Sequence, residues 1–177
     1  MNIAVVGWLL MVKKAMFNEQ NVPKGGTCIS VFLVLNGDGG ILVGKVAKPE
    51  IWVERFLVGE MFVTKYAKSN KWLIPASHLL YGEKPEDAAT RVLVEQVGLK
   101  KSKLNFLQVQ SHLSQDPNDP EAAHWDICLV YGGRVPAKVE RPEWFSELRF
   151  VKPRELKSDD FTRGHGDVLK ELGIIKS

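Results

Sequence analysis

The stretch Trp72–Leu99, WLIPASHLLYGEKPEDAATRVLVEQVGL, constrains this chain more than any other part of it. Lys71–Pro75 reads as a strand ended by proline. Pro85 then stands in a first helical turn, where its missing N–H is harmless. Glu86 and Asp87 follow at the positive end of the helix dipole. Ala89, Leu93 and Val97 recur at helical spacing on one face, and Gly98 is the expected C-cap. A strand, a loop and an amphipathic helix are predicted in that order, with sheet on either side.

With 177 residues the chain can bury a sizeable core as one domain. Its formal net charge of +3 would help a phosphate-bearing ligand approach, but it is too small to argue for nucleic acid. Cys28 and Cys128 sit alone in apolar runs, which suggests buried thiols in a reducing compartment, with one disulfide as the alternative. The start, MNIAVVGWLLMV, is apolar for about a dozen residues, short of the roughly 20 that span a bilayer. Lys13 and Lys14 follow this run, whereas a secretory signal carries its positive charge before it. An extra element docked on the domain is the ordinary reading of such a terminus. A wrongly chosen start codon and an interfacial anchor are the alternatives. Residues 1–22 are thus an apolar extension and linker, 23–177 a single domain, and the default location is cytoplasmic.

Along the body, Thr27–Leu35 reads as a buried strand, Asn36–Gly40 as a hairpin turn and Ile41–Val46 as the return strand. Ala47–Asn70 is an insertion that reads as two short strands around Gly59, or as a helix followed by a strand. Its aromatic residues Trp52, Phe56, Phe62 and Tyr66 suit a core or a dimer seam, with a base-stacking wall as the sharper alternative. Strands are expected at Asn105–Leu113, His124–Val135 and Leu148–Val151, a short turn at Lys152–Leu156 and a closing helix at Gly166–Leu172. The class is therefore mixed, α/β or α+β. His78, His112, His124 and His165 lack close ligand spacing, which argues against zinc. The glycine-bearing turn Gly164–Asp167 could meet a phosphate at a helix N-terminus.

Pro75, Gly82-Glu83, Ala88-Ala89, Arg91, Leu93, Glu95 and Gly98-Leu99 match, in order and spacing, the Nudix box. The flanks agree: a KWLIP-like strand enters the box, and Glu147-Leu-Arg-Phe-Val resembles the late strand of that family. The chain thus resembles the Nudix hydrolases from Thr27 to about Leu172. The resemblance implies an α/β/α sandwich, a mixed sheet with the box helix on one face and a C-terminal helix. It implies a structural set of Glu83 and Arg91 as an ion pair, Leu93 in the core and Gly98 as cap.

The same resemblance implies a divalent-metal-dependent pyrophosphohydrolase of a nucleoside-diphosphate-linked compound, using Mg2+ or Mn2+. The family's metal-gathering glutamates fall on Val92, Glu95 and Gln96, so two of the three are replaced. Glu95 and Gln96 are the remaining metal candidates, and Glu95 with Glu147 the catalytic ones, Glu143 being the runner-up. The paired glycines before the box fall on Ala76 and Ser77, and a loop glutamate on Leu80. The alternative is a non-catalytic module of the same fold that binds a nucleotide-type small molecule or a protein. A homodimer through the N-terminal segment or the 47–70 insertion is a third option.

Overall fold

Thr27–Gly37 becomes β1, the strand at the middle of the sheet. The computed structural model describes residues 26–56, 58, 60–100, 102–116, 119–162 and 164–176. The apolar extension 1–22 lies outside them. β1 turns through Asp38 (φ 44°) and Gly39 (φ 70°) into β2 (Gly40–Val46), the hairpin expected of NGDGG. β3 is Ala76–His78, β4 Leu104–Asp116, β5 Asp119–Arg134 and β6 Phe145–Val151. The strand order is β4-β5-β1-β2-β6, with β3 paired to β1. β1 runs parallel to β5 and antiparallel to β2 and β3, so the sheet is mixed and open.

β1 and β2 pair only near their hairpin and then splay. The segment from Leu73 to His78 fills the opening. Leu73 exchanges two 2.9 Å hydrogen bonds with Gly44 of β2, and the Pro75 carbonyl accepts from Leu33 N–H at 2.9 Å. Here the sequence reading is corrected. Lys71–Pro75 makes isolated bridges, through Trp72 and Leu73, and the ladder strand begins at Ala76.

A second correction concerns 47–70, which forms two helices, α1 (Pro49–Phe56) and α2 (Glu60–Ser69). β-branched and aromatic content argued for strands, but Trp52 and Phe56 are one helical turn apart and both are buried. With Val63, Phe145 and Leu73 they make a separate core cluster. The Trp52 indole N–H donates to the Trp144 carbonyl at 2.8 Å. Trp52 and Phe56 are core, Tyr66 is partly buried against them, and the side chain of Phe62 lies outside the described residues.

The box helix α3 (Pro85–Val92) continues through a π-helical turn, Leu93–Val97, and stops at Gly98 in the left-handed region (φ 78°). It packs on one side of the sheet, over Val31, Leu33, Leu35 and Leu42. The closing helix α4 (His165–Glu171) covers the other side with Phe32, Val34, Ile41 and Val43. Among the described residues no helix is long and apolar enough to cross a membrane. Cys28 and Cys128 are buried and neither is in a disulfide.

β2 and β6 approach so closely at Gly40 that a Cβ there would stand 2.6 Å from the Val151 carbonyl oxygen. Backbone cannot yield as a flexible side chain can. Gly40→Ala should therefore lower stability by about 1–3 kcal/mol in urea denaturation, with no change in the circular-dichroism spectrum of the folded form.

Candidate functional site

The loop between β3 and α3 is fastened to the helix at two points. The first is Arg91. Its Nε donates to Glu83 Oε1 at 2.7 Å and its Nη2 to Glu83 Oε2 at 2.9 Å and to the His78 carbonyl at 2.9 Å. The second Glu83 oxygen also accepts the Leu80 N–H at 3.0 Å. Both side chains are 13% exposed, so this forked, charge-assisted pair acts in a poorly solvated place.

The second point is Gln96. Its Oε1 accepts the Ala76 N–H at 3.1 Å, and its Nε2 donates to the Ala76 carbonyl at 2.7 Å. Gln96 is 1% exposed, held by the π turn against the peptide that opens β3. Val92, one turn earlier, is equally buried among apolar neighbours. Glu95 is half-buried on the same edge, with an oxygen 4.0 Å from Arg91 Nη1. Gly98 closes the helix with the Leu99 N–H reaching back to the Leu93 carbonyl at 3.3 Å.

Glu147 does not join this group. On β6 its register partner is Lys45, and Val43 stands opposite Arg149, on the side of the sheet that Val151 shares with α4. Leu148 and Phe150 turn to the α3 side instead. Glu147 contacts Arg149 at 2.5 Å and Lys45 at 3.3 Å. Desolvation pushes its carboxyl up, but hydrogen bonds from those two cations outweigh this and hold it below the ordinary glutamate range. Glu143 is exposed and paired with Lys48.

On the α4 side lies a cavity of about 260 Å³, between the sheet, the Leu73–His78 segment and the two insertion helices. Phe32, Trp52 and Tyr66 give it aromatic walls, and Ser30, Asp126 and His165 supply polar groups. Asp126 Oδ1 accepts from Ser30 Oγ at 3.0 Å and from Cys28 Sγ at 3.2 Å. His165 accepts the Ile74 N–H on Nδ1 at 3.3 Å, which leaves the ring proton on Nε2. Burial drives its pKa down to about 4. Sequence reading passed over this cavity. Its signal was Ser30 and Asp126, polar interruptions on one face of otherwise apolar strands.

A family model described as the NUDIX domain matches residues 26–172. The chain belongs to the NUDIX family. NUDIX structures resemble it at low identity: a MutT protein from Methanosarcina mazei Go1 has a TM-score of 0.55 at 15% identity, covering 85% of this chain and 95% of that one. A MutT NUDIX hydrolase from Burkholderia pseudomallei gives 0.51 at 19%, covering 82% and 98%. The NUDIX domain of Shewanella oneidensis NrtR, in complex with ADP ribose, gives 0.50 at 11%, covering 98% and 97%. At these identities the likeness is of fold alone. No curated protein sequence matches the chain.

The divalent cation that NUDIX hydrolases generally use does not fit the box residues present. Val92 offers no oxygen. Both ends of the Gln96 amide are engaged by Ala76, and the Ala76 carbonyl is itself engaged by Gln96. Glu147 is across the sheet from Glu95. Among the described residues no three His, Cys, Asp or Glu side chains are placed to hold a metal ion. Of the residues expected to hold the metal or act on it, Gln96 is set against Ala76 and Glu147 lies on the other side of the sheet from Glu95.

Two measurements follow from these contacts. Gln96→Leu strands the Ala76 N–H and carbonyl at a buried seam and should cost about 2–3 kcal/mol in chemical denaturation. His165 has a folded pKa of about 4, below the ordinary 6.5, so the unfolded chain binds its proton more readily. Its contribution is complete above pH 6.5 and is lost as pH falls towards 4. The loss should reach about 3 kcal/mol in a pH series of unfolding curves, and His165→Gln should flatten that part of the profile.

Proposed function

We propose that this NUDIX domain binds a nucleotide-type small molecule without metal-dependent turnover. The observation that carries the reading is Gln96 closed on Ala76, an amide pair standing where box carboxylates would otherwise face a cation. Ligand binding falls to the cavity on the α4 side. Aromatic walls at Phe32, Trp52 and Tyr66 suit a flat ring, while Asp126 accepts and His165 Nε2 donates along its edge. A volume of about 260 Å³ suits one ring system. ADP ribose in the NrtR NUDIX domain supports a ligand of this class. Buried, reduced Cys28 and Cys128 support a cytoplasmic setting.

A second reading keeps hydrolysis, with Mg2+ or Mn2+ and Glu95 cleaving a nucleoside-diphosphate-linked compound. It is favoured by Glu95 itself, retained and half-buried on the box edge. One experiment separates the two. The pure protein is incubated with ADP ribose, nucleoside triphosphates and nucleotide sugars, with Mg2+, with Mn2+ or with EDTA, while melting temperature and phosphate release are followed. The binding reading expects a ligand-induced rise of a few degrees that survives EDTA, is reduced by Asp126→Asn, and comes with no release. Metal-dependent release that Glu95→Gln abolishes would overturn it.

A further inference from the structure

The β4–β5 ribbon outruns the helix laid across it. β5 has 16 residues, about 53 Å at ~3.3 Å per residue. The box helix from Pro85 to Val97 covers only about 20 Å. Register puts Phe106, Val109, Ser111 and Leu113 of β4 on the same side as Trp125, Ile127, Leu129 and Tyr131 of β5. Leu129 and Tyr131 reach the core under α3. Beyond them the face is open: Phe106 is 52% exposed, Val109 55%, Leu113 53% and Trp125 45%. Half-exposed phenylalanine and tryptophan contribute about 100 Å² each, so the open face amounts to roughly 300–400 Å² of apolar surface. β4 is also the end strand of the described sheet, so its outer edge is unpaired within it.

The same chain carries a complementary segment. Residues 1–12, MNIAVVGWLLMV, contain no charged side chain, and Asn2 is their one polar side chain. Charged residues return at Lys13, Lys14, Glu19 and Lys24, in the stretch that leads to the domain. Gly26, the residue that follows this stretch, lies beside the open face, because its carbonyl accepts the Trp125 N–H at 2.8 Å and Thr27 stands opposite Trp125. From Lys13 to Gly25 the chain can extend about 40 Å. The open face runs only about 25 Å along β4 from Leu113 to Phe106. A tethered segment meets this face at an effective concentration in the millimolar range, far above that of a second molecule in dilute solution.

We propose that Met1–Val12 docks on the face formed by Phe106, Val109, Leu113 and Trp125 of its own chain. The inference is independent of what the cavity binds. It is tested by hydrogen exchange on the full chain and on a chain lacking Met1–Val12. Removal should speed exchange several-fold in peptides covering 104–113 and leave α4 peptides unchanged. Should the shortened chain not fold, Val109→Glu/Leu113→Glu in the full chain provides the second arm. These solvent-facing changes should release the segment and speed tryptic cleavage at Lys13, Lys14 and Lys24 several-fold. Unchanged exchange in 104–113 on removal, or unchanged cleavage in the double variant, would overturn the proposal. A full chain that sediments as a dimer and becomes monomeric in the double variant would overturn it as well, giving the face to a second copy.

Discussion

The guanidinium of Arg91 is the contact on which the loop before the box helix depends. It holds both oxygens of Glu83 and the His78 carbonyl at once, so loop and helix move as one body. Removing one partner from a poorly solvated pair leaves an uncompensated charge, a cost of about 3–5 kcal/mol. Since β3 pairs with the middle of β1, that brace also fixes how the splayed hairpin is filled. The cavity floor inherits its shape from the same place, because Ala76, Ser77 and His78 line it.

Against this rigid frame the chemistry of the box has changed selectively. Glu83, Arg91, Leu93 and Gly98 keep the scaffold roles that the family resemblance implies, whereas Val92 and Gln96 have turned inward to apolar packing and to a backbone amide. Carboxylates at those positions would repel one another unless a cation lay between them. Valine and glutamine have no such requirement. The substitutions therefore form a consistent set: the edge that would need an ion has become one that packs without it.

Much of the fold was legible because its signals are local. Asn36–Gly40 carries turn chemistry, Pro85 and Gly98 punctuate a helix, and β1 is an unbroken apolar run. The insertion was misread because Ile51, Val53, Phe56 and Val63 favour strands by type, while burial of Trp52 and Phe56 on one helical face decided otherwise. Lys71–Pro75 was misplaced since an apolar run does not say whether it joins a ladder or plugs a splay. Glu147 could not be sided without the β2–β6 register, in which a one-residue slip exchanges the faces. The Gln96 contact was invisible for another reason: its partner is a peptide group, which every residue carries. Ser30 and Asp126 were readable as polar breaks, but their convergence depends on the parallel β1–β5 pairing.

The π turn at Leu93–Val97 has a consequence for how the box can change. Such a turn holds one residue more than an α-helical turn, so a single-residue deletion there would restore regular helix. Side chains beyond the turn would keep their bearing about the axis, because the wide turn and the α turn replacing it each complete one revolution. Gln96 lies inside the turn, so its reach to the Ala76 peptide depends on the room that the extra residue makes. In this helix the contact with the loop is set by the width of one turn as much as by residue type, so a deletion there can alter the edge while leaving the rest of the helix in place.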